Sequence, residues 1–396
     1  MAAGVRNFAY GLISVDIGVA WREAGFSPAL IGALFSVALF AGGLTGALAG
    51  LVSHRIGRRR LMWGLGLIMA AGGGLLTVHD TFAVAAAVAA LGAFSPSGKD
   101  VGAMLPLDQA ALAETATGDE HTRIYAAYNL LTTSAAALGA LAVAGLGLLP
   151  RWGPLAGASR FATALYAVCG VLVALSYTRL SPGVEGGSRR EGGAWTRLRR
   201  SRPVVFRLTA LFGVDALAGG LVVQGIMVVW FHDRFGVGLA TLGPLLFVVN
   251  MAAAASFLAA APLARRFGIL PTMVFTHLPS NILLVLVALA PSFPLAAALL
   301  VARSLLSQLD VPTRQAYTMA VVDPEERTAA AGVTSAVRGP AAAISPSLAG
   351  IALARSALGI PFILAGVIKV GYDLSLWTMF RRVRLPASAG SARDPS

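Results

Sequence analysis

The sequence predicts an all-α membrane protein of twelve transmembrane helices in two six-helix bundles, and three observations carry that prediction. Hydrophobic residues make up 57% of the 396 and charged residues 12%, with a mean hydropathy of +0.75, where soluble domains carry about a quarter charged residues. The apolar residues gather in runs of roughly 20, the length that crosses a ~30 Å hydrocarbon core as a helix with its backbone hydrogen bonds satisfied internally. The basic residues fall between these runs, and mostly in every second gap.

Apolar runs and their breaks place the spans near residues 7–20, 28–53, 61–78, 81–107, 124–148, 161–178, 204–231, 239–264, 269–290, 293–320, 329–353 and 357–380. Span 1 is short, holds Asp16 and runs at once into Trp21, Arg22 and Glu23; it lacks an early small-residue cleavage site, so it is expected to be retained. Span 4 is interrupted by FSPSGKD at 94–100, where Pro96 has no amide hydrogen and Gly98 adds freedom, so a kink is expected there. Spans 9 and 10 divide a long apolar run at Pro291, Ser292, Phe293 and Pro294. Span 11 contains VRGPAAAISPSLAG at 337–350, whose small residues and prolines suit a closely packed, bent helix. The long polar stretch from about 179 to 203, rich in Gly, Ser and Arg, splits the spans six and six. The expected organisation is an N-terminal bundle over 1–180, a cytoplasmic linker over 181–203 that lies on anionic lipid or acts as a plain tether, and a C-terminal bundle over 204–396.

With the N-terminus inside, 22 of the 31 basic residues fall in cytoplasmic segments, 5 in outer ones, and 4 (Lys99, Arg303, Arg338, Lys369) within spans. This asymmetry puts both termini in the cytoplasm. It also accounts for the net charge of +13 without a nucleic-acid partner, because no separate basic domain exists. Of the basic residues only two are Lys, and with abundant Ala and Gly this composition fits a GC-rich bacterial genome and an inner-membrane location. The lone Cys169 excludes an intrachain disulfide. His54, His79, His121, His232 and His277 are scattered without metal-ligand spacing, and there is no GxxxxGK phosphate loop, so no cofactor, metal or ATP-driven pump is expected.

The chain also repeats itself. GLVSHRIGRRR at 50–60, between spans 2 and 3, is echoed by APLARRFG at 261–268, between spans 8 and 9, at an offset of 211. DQAALAE at 108–114 is echoed by RQAYTMA at 314–320 at an offset of 206. A six-helix unit written twice is the internal symmetry of many secondary transporters. Gly50, Arg55, Gly57, Arg58 and Arg59 follow the pattern GxxxDRxGRR, with His54 in place of its Asp. On these residues and the six-plus-six layout, the chain resembles the major facilitator superfamily. The resemblance implies that this loop forms a charge-dependent cytoplasmic latch, whose strength His54 calls into question. From the residues alone, the paired glycines favour close helix approach and a tight reversal, while a purely topogenic loop would explain only the arginines.

Charges within spans mark the candidate site, because an ionisable side chain at mid-bilayer costs about 2.5–3.5 kcal/mol unless it meets a partner or water. In span 10, Arg303, Ser307, Asp310 and Arg314 are spaced 4, 3 and 4 and share one helical face, where Asp310 pairs with either arginine. Span 4 adds Lys99 and Asp100, which need not pair because adjacent residues point about 100° apart. Asp16 lies in span 1, and Asp215 and Gln224 in span 7. The resemblance implies that helices 1, 4, 7 and 10 surround a central cavity, and Asp16, Asp100, Asp215 and Asp310 fall one on each. Each is read either as a solute- or proton-binding group or as a charge that holds helices together. The expected function is transport of a small solute by alternating access in a monomer, coupled to protons or another ion, with efflux favoured over uptake on fold-level analogy. A polytopic enzyme or a non-transporting receptor are the alternatives; neither a clustered catalytic set nor a sensory domain is visible.

Overall fold

The computed structural model describes residues 1–102, 104, 105, 107, 108, 112, 120–147, 157–179, 198, 200–355 and 359–382, so the linker expected at 181–203 lies almost wholly outside them. Among the described residues the chain is helical and falls into the twelve spans. Spans 1 to 3 are Ala2–Glu23, Pro28–Ile56 and Arg58–Val78; span 4 opens with Phe82–Ala90; spans 5 and 6 are Glu120–Gly147 and Ala158–Thr178. Span 7 is Arg202–Gly220 followed by Gln224–Phe235; spans 8 and 9 are Leu239–Phe267 and Ile269–Leu289. Span 10 is Phe293–Ser307 followed by Asp310–Val321, and spans 11 and 12 are Arg327–Arg355 and Ile360–Phe380. Nine spans are long and apolar enough to cross a membrane on those criteria alone. Spans 1, 4 and 11, which carry buried charge, a break and two prolines respectively, make up the twelve.

Local chemistry sets the ends. Span 2 begins with Ser27 accepting from the Leu30 amide and Pro28 in the first turn, where its missing N–H costs nothing. Gly57, at φ 92°, reverses the chain between spans 2 and 3, and Gly268, at φ 90°, does so between spans 8 and 9. The two glycines aligned by the sequence repeat thus make the same turn in a region of φ that residues with a Cβ avoid.

Three departures from continuous helices concern the centre of the molecule. Span 7, read from the sequence as one helix, stops after Gly219–Gly220 and restarts at Gln224, and span 10 breaks at 308–309. Span 4 loses its helix from Leu91 to Gly102, with Gly92 and Gly98 at positive φ. The breaks of spans 4 and 7 meet: the Gly225 amide donates to the Pro96 carbonyl at 2.9 Å. Non-helical backbone at membrane depth is tolerated only where protein or a wet cavity satisfies it.

Within each half, small residues bring helices together. A Cβ on Gly11 would lie 2.0 Å from the Ala136 carbonyl oxygen, and one on Gly139 1.9 Å from that of Phe8, so spans 1 and 5 touch backbone to backbone. Gly139→Ala is therefore expected to destabilise by about 1–3 kcal/mol through overpacking. Gly145→Ala, whose Cβ meets nothing within 4 Å, is the control that leaves the thermal unfolding midpoint of the purified protein unchanged.

The halves meet through spans 1 with 7, 2 with 11, and 5 with 8. Among the described residues their contacts gather toward one face. Arg22 pairs with Asp233 at 3.0 Å, and Gly243 would place a Cβ 2.7 Å from the Ala140 carbonyl oxygen. Pro346 lies inside the continuous helix of span 11, and beside it Ser36 of span 2 accepts from the Ser347 amide at 2.9 Å and donates to the Ile344 carbonyl at 3.3 Å. This sealed face is the one at which residues 23–28, 78–82, 235–239 and 289–293 turn; the start of span 1 and the end of span 12 lie on the other.

Burial is inverted relative to a water-soluble protein. Arg6, Asp16, Asn281 and Asp373 are buried, whereas Phe206, Leu258 and Phe275 are more than half exposed on the outer wall. Lipid covers such a wall without penalty.

Candidate functional site

A cavity of about 510 Å³ lies between the halves, where the broken segments of spans 4, 7 and 10 meet spans 2, 8, 11 and 12. Of the residues singled out in the sequence, Lys99, Asp215, Gln224, Arg303, Asp310 and Arg314 line it. Broken helices around a midplane cavity supply polar backbone and side chains where an unbroken helix presents neither.

Asp215 organises the C-terminal half of the site. It accepts from Arg314 at 2.8 Å and from Arg338 at 3.3 Å, and Lys369 makes a closer ion pair with its other oxygen. Arg314 also pairs with Asp310 at 3.4 Å. The face shared by Arg303, Asp310 and Arg314 is divided by the break at 308–309, so Arg303 sits on the first segment of span 10, and Asp310 takes Arg314 rather than Arg303. Gln224 joins the halves, donating to Ser14 at 2.8 Å and accepting from Asn250 at 3.2 Å. Behind the wall, His277 and Asn281 both bond Asp373 at 2.8 Å, and His277 reaches the cavity.

Asp16 and Asp100 lie elsewhere. One oxygen of Asp16 accepts from Ser159 at 2.6 Å, and the other is buried without a partner; its neighbours Ile17, Trp21 and Glu23 border a smaller recess outside the cavity. Asp100 forms an ion pair with Arg6 at 2.8 Å, and its amide donates to Asn7 at 3.1 Å. Arg6 also reaches Asp108 at 2.6 Å and donates to Tyr177 at 2.5 Å; Tyr177 in turn donates to Asp108 at 3.2 Å.

The two clusters are charge-swapped copies. In the N-terminal half, span 1 supplies the cation Arg6, span 4 the anion Asp108 and span 6 Tyr177. In the C-terminal half, span 7 supplies the anion Asp215, span 10 the cation Arg314 and span 12 Lys369. Asp108 and Arg314 are the residues that the second sequence repeat aligns. The count of basic residues put Arg6 and Arg314 in cytoplasmic segments, although the helical face of span 10 also claimed Arg314; the structure buries both. Span 1 begins at Ala2, which carries Arg6 inside its second turn, and the charge reversal hid the symmetry from a search for like residues.

In the loop between spans 2 and 3, Gly57 makes the reversal, and Arg59 donates to the Thr178 carbonyl at the end of span 6, where a cation also favours the helix dipole. Arg55 is exposed and Arg58 half-buried. Gly50 and His54 fall within the helical run, but the His54 side chain lies outside the described residues.

A helical membrane protein with two six-span halves, a charged cavity between them and contacts sealing one face has the architecture of a membrane transporter. Residues 1–308 match the Major Facilitator Superfamily, and the chain belongs to it. An uncharacterized membrane protein of Saccharomyces cerevisiae, YJR124C, is 23% identical over 412 residues, covering 95% of this chain and 92% of the relative. Among solved structures, the nucleoside transporter NupG is similar with a TM-score of 0.73 at 14% identity, covering 96% of this chain and 97% of that one. The xylose transporter XylE from E. coli, in a partially occluded inward open conformation, has a TM-score of 0.71 at 13% identity, covering 98% and 97%. A bacterial homolog of the human lysosomal transporter Spinster, inward-facing and unoccupied, has a TM-score of 0.72 at 14% identity, covering 98% and 97%. At these identities the likeness is one of fold.

Proposed function

We propose that this chain is a secondary active transporter that moves a small solute by alternating access, with residues 1–180 and 204–396 rocking about the cavity and 181–203 as a cytoplasmic linker. The cavity carries the reading: it lies between the halves, gathers most of the charge found within the C-terminal spans, and is closed at one face by contacts between halves. The basic loops put the opposite face, with both termini, in the cytoplasm of the cell in which the chain resides. The sealed face is then external, and the conformation opens inward, as in two of the similar transporters. The loop with Arg55, Arg58 and Arg59 serves as the cytoplasmic latch in the outward-open state.

The proposed coupling ion is the proton, taken up by Asp310. Asp215 faces three cations within hydrogen-bonding reach, whereas Asp310 faces one, Arg314 at 3.4 Å, and is the cavity carboxylate with fewer fixed partners. Alternating access is reversible, and the proton gradient sets whether the solute is exported or taken up. Purified protein in proteoliposomes is expected to accumulate a solute from a mixed panel when a pH gradient is imposed. Asp310→Asn is expected to lose gradient-driven accumulation while retaining solute exchange. Accumulation by Asp310→Asn at the parent rate would exclude this carboxylate as the coupling group, and absence of flux for every solute would exclude transport.

A further inference from the structure

We propose that the cavity selects small organic anions, with the acidic head held between Lys99 of span 4 and Arg303 of span 10; this names the substrate class of the transport site above and rests on that reading. Five basic side chains line the cavity (Lys99, Arg303, Arg314, Arg338 and Lys369) against two carboxylates, Asp215 and Asp310, an excess of three positive charges. Asp215 engages Lys369, Arg314 and Arg338, and Asp310 engages Arg314. Lys99 and Arg303 are left without a carboxylate within ion-pair distance among the described residues. Asp100, which sequence adjacency offers to Lys99, is held by Arg6 instead. The Nε of Arg303 is buried and has no hydrogen-bond partner.

Cations in a low-dielectric cavity are costly unless an opposite charge reaches them, so the field here attracts anions and repels cations. Lys99 and Arg303 belong to opposite halves, and an anion between them would draw the halves together, which gives the solute a direct part in the rocking. The rest of the wall points to an organic body rather than a bare inorganic ion. Leu39, Val101, Met227 and Val249 contribute apolar surface, and about 510 Å³ is a volume typical of small-molecule sites.

The test uses purified full-length protein with shape-matched carboxylates, amides and amines: benzoate, benzamide and benzylamine, and their naphthalene counterparts. Binding is read from the shift of the unfolding midpoint, and transport from flux in proteoliposomes. At least one carboxylate is expected to bind in preference to its amide and amine. Lys99→Gln and Arg303→Gln are each expected to weaken it by about tenfold, with recovery in Lys99→Arg and Arg303→Lys. Because each Gln variant removes a cation that no carboxylate among the described residues reaches within ion-pair distance, its midpoint without solute is expected to rise. An amide or amine that binds as well as its carboxylate would overturn the proposal, as would equal carboxylate affinity in parent and Gln variants, a lower midpoint in both Gln variants, or no carboxylate binding up to roughly 10 mM. Flux of neutral or cationic solutes without anion binding would overturn the anion assignment and leave transport standing. Saturable anion binding without any flux would uphold the site and remove the transport reading.

Discussion

Arg6→Met is expected to destabilise the protein by about 3–5 kcal/mol, because it strips from two carboxylates of the N-terminal half the cation that pairs with both. Arg6 is fully buried, and Asp100 and Asp108 lie 2.8 and 2.6 Å from it. In water the loss would be small; in a membrane the orphaned carboxylates have no solvent shell to return to. Arg6→Met with Asp100→Asn and Asp108→Asn is expected to recover much of the lost stability, since replacing a whole buried ion cluster by neutral groups costs less than breaking it. The measurement is the thermal unfolding midpoint of each purified variant, with folded yield alongside. A parent-like midpoint for Arg6→Met would show that the cluster is wet enough to screen its own charges.

The second large effect belongs to Asp215→Asn, the mirror of the first. It leaves Arg314, Arg338 and Lys369 facing one another with, among the described residues, Asp310 alone within ion-pair distance of the three. A destabilisation of about 3 kcal/mol is expected from the uncompensated cations. Unlike the Arg6 cluster, this one lines the cavity, so part of the loss should be reversible by an anionic solute in the medium. A stabilising shift by benzoate that is larger in Asp215→Asn than in the parent would separate the two clusters by measurement. Equal shifts would place Asp215 outside the reach of the solute.

The spans were readable because lipid demands about 20 apolar residues wherever the chain crosses. The repeat was readable at Gly57 and Gly268, where a tight reversal restricts the residue type and both copies kept it. The breaks in spans 7 and 10 left only slight marks in the sequence: Gly219–Gly220 precede the first, which the bond from the Gly225 amide to the Pro96 carbonyl helps hold open, and Pro312, which has no amide hydrogen to offer the Gln308 carbonyl, follows the second. For the candidate site, hydropathy located Lys99, Asp215, Arg303 and Asp310, and the helical face of span 10 offered Arg314 to Asp310, but nothing in the sequence offered Arg314 to Asp215. Arg338 and Lys369 were visible as charges within spans, yet only packing of spans 11 and 12 against span 7 directs them to Asp215. Asp16 and Asp100 share their spans' address but not their facing: a helix that borders the cavity also has a back, and rotation about its axis is set by contacts such as Ser159 and Arg6.

The central claim is that the space around Gln308 and Ser97 is a wet path between two halves, open on the basic face and shut on the other. Its direct measurement is the labelling of Gln308→Cys and Ser97→Cys, each in a Cys169→Ala background, by a membrane-impermeant thiol reagent applied to one face at a time. The account expects both positions to react from the side of the linker and to be protected from the side sealed by Arg22–Asp233 and Ser36–Ser347. Labelling from neither side, or from the sealed side alone, would contradict it.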